Sequence, residues 1–364
     1  MSKRKKSRHK NVSKKPSKAP SEADDASEGT TGTTGTTGTT GTTGTTGTTT
    51  KKKSNLASAL LFFYTETPLH VGCGEGLGGI DLPIQRERMS GLPIAPGSGI
   101  KGSLRATFRD HTDELHLFGP RPSKQGENEA PSHAGALNLT DARLLLLPIR
   151  TVYGGWAWAT CPMVLERLAR DLEIAGHARP RWVDLAPPKD AQREDESPQA
   201  VVFADAPEIA PDGQNLLLED TLYRTKRADK AVGEELVTDL AEALPIEESY
   251  DPLRRRLAKQ LVILSDAEFK HWARQGTEVV TRVRIDDETG TVAKGALWNE
   301  EALPSESLLW SLAQVGPSRM NASASGLKLL NSLMEDLPKR VFLGGDRTIG
   351  RGLCGLKFRT VKEA

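Results

Sequence analysis

The chain has 364 residues, 37% of them apolar and 27% charged, with a formal net charge of only +1; that is enough for one large or two ordinary domains and excludes a wholly unfolded polypeptide. Cys73, Cys161 and Cys354 are odd in number, far apart and form no C-x-x-C, which excludes a disulfide framework and a zinc cage and fits a reducing cytoplasm. Near the N-terminus there is no apolar signal core, and no apolar run is long enough to span a bilayer, so neither export nor membrane anchoring is expected.

Residues 1–54 hold a basic run from Lys3 to Lys18, a short acidic patch, Thr-Thr-Gly repeats from Thr30, and Lys51-Lys52-Lys53. With hardly any apolar side chain to offset the entropy of ordering, this segment is predicted to be a disordered, low-complexity tail ahead of a folded body over 55–364. It carries 12 Lys/Arg and 4 Asp/Glu, a net +8; of the 49 and 48 in the whole chain, 37 and 44 remain, so the body is net −7. A broad basic face for nucleic acid is therefore excluded, and any RNA site must be a local basic groove. The acidic excess, mostly between Asp184 and Asp251, is expected to face away from it.

Leu56–Tyr64 reads as a buried strand leading into a glycine loop. Leu82–Arg88 is extended at best, because Pro83 forbids a central ladder position, and Ser98–Phe108 is a helix with Ser98 as its cap. A polar loop (Pro120–His133) precedes one or two core strands within Gly135–Arg150 and another within Tyr153–Cys161. Pro162 then opens a helix at its first-turn position, running to about Ile174. Gly176–Gln199 is expected to be an exposed insertion, Val201–Phe203 and Leu216–Leu218 short strands, and Ala228–Glu248 a weakly amphipathic helix. Gln260–Asp266 is a strand ending in a helix cap, Ala267–Gln275 a short helix, and Glu278–Ile285 with Thr291–Val292 a hairpin turning over Asp286–Gly290. Asn321–Leu337 is a helix capped by Asn321 or Ser323 and stopped by Pro338. Val341–Lys357 closes the chain as strand, glycine loop and strand. Without the long βα rhythm of a doubly wound sheet, the pattern predicts an α+β fold with an antiparallel sheet.

The functional signal is concentrated in Thr67–Arg109. Glycines at 72, 74, 76, 78 and 79 let the backbone take positive φ and approach another chain closely. Gly74-x-Gly76-x-x-Gly79 satisfies a dinucleotide fingerprint in form, but Ile80-Asp-Leu-Pro follows it instead of a helix, which argues against a nucleotide cofactor. Asp81, just past this loop and before Arg86 and Arg88, is the sharpest candidate for chemistry; from spacing alone, pairing with Arg86 or capping a turn would explain it as well. His70 is the only imidazole near the loop and fits either acid–base work or a structural hydrogen bond. Glu87 is expected to pair with Arg86 or Arg88. Lys101, Arg105 and Arg109 recur on one helical face beside the helix start at Gly97–Ser98, an arrangement suited to phosphate. The second loop, Gly344-Gly345-Asp346-Arg347-Thr348-Ile349-Gly350-Arg351-Gly352, offers backbone amides and two cations, with Asp346 expected in an arginine pair.

T-P-L-H-V-G-C-G-E-G-L-G-G-I-D-L-P-I-Q-R-E-R, G-S-G-I-K-G-S-L-R and the second glycine loop together resemble the RAMP superfamily, and within it the backbone subunits of type III-B CRISPR effectors, the Cmr complex. The resemblance runs from Leu56 almost to the end. It implies a ferredoxin-like (RRM-like) palm with inserted fingers and a thumb within about 180–300. By the same resemblance Asp81 occupies the place of the residue implicated in target-RNA cleavage, with His70 and Glu300 as auxiliary candidates. Glu300 and Glu301, at the end of the thumb segment, are otherwise expected to be solvated. RNA contacts would come from Gly74, Gly76, Arg86, Arg88, Ser98, Lys101, Arg105, Gly344, Gly345, Arg347, Gly350 and Arg351. The expected partners are a crRNA guide, a single-stranded target RNA, further copies of the chain in a head-to-tail filament, and other Cmr subunits, with no membrane. A divalent ion, Mg or Mn, is expected, with Asp81 as a ligand, and no organic cofactor. A non-catalytic guide-binding scaffold and a guide-processing ribonuclease are the alternatives. Met89 and Ser90, where a His-Thr pair is frequent, and Ala302, where an aromatic is common, depart from the family pattern.

Overall fold

The computed structural model describes residues 56–76, 78–121, 133–193, 196–203, 208–320 and 324–361. The predicted tail, most of the polar loop before His133, and the predicted caps Asn321 and Ser323 lie outside the described residues.

The elements follow one another as β1 (Ala57–Thr65), β2 (Ile94–Ala95), α1 (Gly97–Thr107), α2 (Glu114–Phe118), β3 (Leu137–Leu139), β4 (Ala142–Arg150), β5 (Trp156–Thr160) and α3 (Pro162–Ile174). Then come β6 (Gln199–Val202), β7 (Asn215–Leu218), β8 (Thr221–Arg227), α4 (Lys230–Glu242), α5 (Asp251–Gln260), β9 (Leu261–Ile263) and α6 (Asp266–Gln275). The hairpin strands β10 (Glu278–Ile285) and β11 (Val292–Ala302) precede β12 (Leu308–Val315), α7 (Gly326–Asp336), β13 (Arg340–Phe342) and β14 (Leu353–Arg359).

Four strands make the frame, in the spatial order β14-β1-β12-β4 with every neighbour antiparallel. Taken along the chain with their helices they read β1-α1-β4-β12-α7-β14. That is the ferredoxin-like βαββαβ arrangement, in which the first and third strands are central. β1 is buried from Ala59 to Thr65 without alternation, the continuous run of a strand covered on both faces, and α3 and α7 both pack on it. β12 has no counterpart among the predicted elements, although it lies between β1 and β4 and carries the fully buried Trp310.

From β4 the sheet continues through β5-β9-β6-β8-β7. The α+β class holds, but the sheet is mixed: β5 with β9 and β6 with β8 are parallel. This extension, with the separate two-stranded β10–β11 hairpin, is inserted between the second and third strands of the frame. The predicted exposed insertion at 176–199 needs correction. Within it Arg181–Asp184 forms a 3-10 turn that buries Trp182 completely, its Nε1 donating to Asp239 Oδ2 at 2.6 Å. A lone Trp among Pro, Arg and Asp is enough to dock such a segment when its N–H finds a partner.

Local capping sets the helix that abuts the hairpin. Ser265 Oγ accepts from Glu268 N at 3.1 Å, the first half of an S-x-x-E box. Ser265→Ala should cost about 1 kcal/mol, read as a lowered unfolding midpoint with no change in the spectrum of the folded state. Among the described residues no helix is long and apolar enough to cross a membrane.

Candidate active site

The first glycine loop leaves the sheet after β1. Leu69 and Leu303 exchange backbone hydrogen bonds of 2.8 and 2.9 Å, and the excursion is closed by Gln85 N to Val71 O (2.8 Å), Cys73 N to Pro83 O (3.1 Å) and Gly76 N to Asp81 O (2.7 Å). A Cβ on Gly76 would lie 2.4 Å from Ile80 O, so only glycine lets the loop double back this tightly. The turn presents Asp81.

Asp81 is exposed, and its Oδ2 accepts from Asn299 N on β11 at 2.8 Å. The same strand grips its neighbour: Leu82 N donates to Asn299 O (3.0 Å) and Glu301 N to Leu82 O (3.0 Å). One carboxylate oxygen is thus fixed by a backbone amide at the base of the hairpin. His70 sits on the adjoining part of the same strand, its Nδ1 2.6 Å from Glu301 O. A carbonyl can only accept, so the Nδ1 proton is committed to it and Nε2 is the free lone pair of the neutral ring.

The second glycine loop packs on the first at His70. Gly345 N donates to His70 O (2.9 Å) and Gly352 N to Pro68 O (2.9 Å). Gly344 has φ +73°, and a Cβ there would lie 2.2 Å from His70 O. Two stretches more than 260 residues apart in sequence thereby form one surface.

Behind that surface lies a buried charged cluster. Glu300, 4% exposed, accepts from Arg282 Nε at 3.3 Å, and Arg351 Nε is 3.9 Å from its other oxygen. Asp346, in the left-handed region at φ 58°, faces it, with Arg282 Nη2 4.0 Å away. Burial first, and the Asp346 carboxylate second, push the Glu300 carboxyl above its ordinary value. Burial likewise raises Glu278, against the opposing pull of Arg351.

Several predicted contacts are corrected here. Arg86 is not available to RNA: it pairs with the buried Glu301 at 2.5 Å and donates to Gly91 O and Ala273 O. Arg351 is turned inward to Glu300, its side chain only 12% exposed. Arg105 spends its guanidinium on Glu114 Oε1 (3.2 Å), Gly119 O (2.8 Å) and Pro120 O (3.3 Å). Ser98 is exposed inside α1 and caps nothing; Gly97 N is met by Asp141 Oδ1 at 2.9 Å, so a carboxylate of the chain itself sits at the helix start. Glu300 and Glu301 are buried, not solvated. Glu87 pairs with Arg167 (2.7 Å) and Ser90; these bonds hold its carboxyl below the usual range although burial works the other way.

Other candidates remain at the surface. Arg88, Arg109 and Arg347 are exposed, Arg347 lying 4.7 Å over the Phe342 ring. Gly74 (φ +95°) and Gly350 (φ +84°) have open space where a side chain would be. Lys101 Nζ donates to Leu137 O at 2.7 Å, and burial beside Arg105 and Arg319 lowers its affinity for a proton. Arg105, Arg109, Arg121 and Glu114 line a cavity of about 250 Å³.

Asn299 and Asp141 are functional neighbours that the sequence reading missed. Asn299 acts through its main chain, which leaves no compositional trace. Among the described residues no three His, Cys, Asp or Glu side chains converge as a closed metal cage, so Asp81 would hold a divalent ion only together with phosphate oxygens and water.

The RAMP superfamily model matches residues 62–355. The chain is 33% identical over 308 residues to the CRISPR system Cmr endoribonuclease Cmr4 of Pyrococcus furiosus, spanning 83% of this chain and 96% of that protein. A crystal structure of oligomeric Cmr4 from Pyrococcus furiosus superposes with a TM-score of 0.62 at 25% identity, over 84% of this chain and all of that one. A chain of the type III-B Cmr-beta complex bound to cognate target RNA shares the fold, with a TM-score of 0.60 at 20% identity over 83% and 96% of the two chains.

Proposed function

The chain belongs to the RAMP superfamily, and from that membership we propose that it is the repeating backbone subunit of a type III-B RNA-guided complex in the cytoplasm, where it binds guide crRNA and cuts complementary target RNA. Copies stack head to tail along one guide, a heterologous arrangement that does not close, alongside other subunits of the complex. The guide supplies sequence specificity by base pairing, and the protein reads backbone and shape. The β10–β11 hairpin is the part of the insertion suited to act as thumb, parting the guide–target duplex beside Asp81.

The observation that carries the nuclease reading is an exposed carboxylate held by one oxygen on a backbone amide, at the meeting of two glycine loops. Oδ2 is fixed by Asn299 N, which leaves Oδ1 to accept the proton of a target 2′-hydroxyl. The 2′ oxygen then attacks the adjacent phosphorus in line, the P–O5′ bond breaks, and the departing oxygen takes a proton from solvent. The products are a 2′,3′-cyclic phosphate and a 5′-hydroxyl. Exposed Arg88 and Arg347 are suited to meet phosphate oxygens, whereas the amides of Gly345 and Gly350 are engaged by His70 O and Arg347 O.

The test is an assembled, guide-loaded complex offered complementary RNA. Wild type should cut at regular intervals and leave cyclic phosphate ends, whereas the Asp81→Ala complex should bind the same RNA and leave it whole. Binding without cutting by wild type would leave only the scaffold reading, and cleavage of precursor guide RNA by the isolated chain would favour the processing enzyme. Removing residues 1–54 should leave both assembly and cutting intact, checked by gel filtration and the same cleavage assay.

A further inference from the structure

Three polar atoms are buried without a hydrogen-bond partner in one place: Arg282 Nη2, Glu300 Oε1 and Arg351 Nη1. They belong to the cluster that joins the base of the β10–β11 hairpin, through Glu278, Arg282 and Glu300, to the second glycine loop, through Asp346 and Arg351. His70 faces Glu300 from the first loop. Such a concentration of unmet bonding capacity is costly in a fold and marks a place held for function.

The backbone connects this cluster to the chemistry. Glu300 immediately follows Asn299, whose N–H orients Asp81 and whose C=O accepts from Leu82 N. A shift of the β11 backbone at Glu300 would carry with it the neighbouring amide on which the Asp81 carboxylate rests. Glu300 and Asp346 are both acceptors when ionised, and Arg282, which reaches both, offsets their mutual repulsion.

We propose that Glu300 and Asp346, clasped between Arg282 and Arg351, are positioning residues for Asp81: they seat the hairpin base on the second glycine loop and thereby fix the Asn299 N–H that aims the reacting carboxylate. This rests on the nuclease reading above and adds a regulation to it. The groups facing Glu300 are His70, Arg282, Asp346 and, more distantly, Arg351. Its carboxyl is raised, so the folded state keeps a proton that the unfolded chain gives up at lower pH. The stabilisation is therefore complete below the unfolded value and is lost as pH rises through the folded one. Above that point the buried Glu300 carboxylate and the part-exposed Asp346 carboxylate repel, the clasp opens, and cutting falls away on the alkaline side.

The substitutions must respect the backbone. Alanine at φ 58° would be strained for reasons unrelated to charge. Asparagine tolerates that conformation and can donate an amide N–H to Glu300 with no proton to lose, and glycine removes the group at no steric cost. In the assembled, guide-loaded complex, Asp346→Asn should cut about two- to fivefold more slowly than wild type at neutral pH and keep its rate to higher pH. Asp346→Gly should cut roughly ten- to a hundredfold more slowly at every pH, with target-RNA affinity within about twofold, since small misplacements of a reacting group have effects of that order. An Asp346→Asn profile that superposes on wild type after scaling overturns the proposal, and so does wild-type cutting by Asp346→Gly. If Asp346→Gly fails to assemble, the Asp346→Asn profile decides. Asp81→Asn serves as the reference: cutting by that complex would sink the nuclease reading itself, whereas its silence beside an unaffected Asp346→Gly would remove only the clasp.

Discussion

Asp81→Asn in the assembled complex should slow target cutting by about 10²–10⁴-fold, the range for loss of a positioned general base. That corresponds to roughly 3–5 kcal/mol of activation free energy. Asparagine is the informative replacement because its carbonyl oxygen can still accept from Asn299 N, keeping the 2.8 Å contact and the loop that depends on it. What disappears is the capacity to take a proton from the 2′-hydroxyl. Single-turnover cleavage with RNA in excess of its dissociation constant isolates that step, and a filter-binding titration should show target affinity within about twofold of wild type. A complex that cuts within tenfold of wild type would show that the carboxylate is structural.

Glu301→Ala should have the largest effect on stability. Glu301 is 2% exposed and makes three bonds to two segments: it pairs with Arg86 at 2.5 Å and accepts from Ile84 N (2.9 Å) and Thr277 Oγ1 (2.8 Å). Truncation leaves the Arg86 guanidinium with only the Gly91 and Ala273 carbonyls and removes the acceptor from the buried Ile84 N–H. Breaking one side of such a pair costs about 3–5 kcal/mol, which at this chain length lowers the unfolding midpoint by on the order of 5–10 °C. Glu301→Gln, which can still accept from Ile84 N, should lose less. Thermal unfolding of the purified chain measures both, and a Glu301→Ala loss below 1 kcal/mol would mean that Arg86 finds another partner. Because the Arg86 segment carries Asp81 five residues earlier, the same variant should also cut poorly.

Much of the site was legible because its signals are local. Glycines at 74 and 76 and the glycine run from 344 to 352 stand out from composition alone, Asp81 is singled out only by the resemblance, and α3 was readable from Pro162 at its first turn. The assignment of cations was not. Arg86, Arg105 and Arg351 look alike in sequence to Arg88, Arg109 and Arg347, yet the first three are engaged by protein groups and the others are exposed. For Arg86 and Arg351 the deciding partner is a carboxylate on β11, remote in sequence; for Arg105 it is a short helix and turn whose geometry no periodicity reveals. β12 escaped notice for a related reason: a strand between two others, buried at every position but Gln314, shows no alternation to betray it.

The order of the frame has a consequence for biogenesis. β14, the last strand, lies beside β1, the first, with Leu60 opposite Arg359, and the loop that completes the site is drawn from the same final segment. Until β14 has been synthesised, the nascent polypeptide exposes one flank of β1 and lacks the second glycine loop. Products terminated before β14 should therefore be prone to edge-to-edge aggregation and, on the nuclease reading, inert toward RNA.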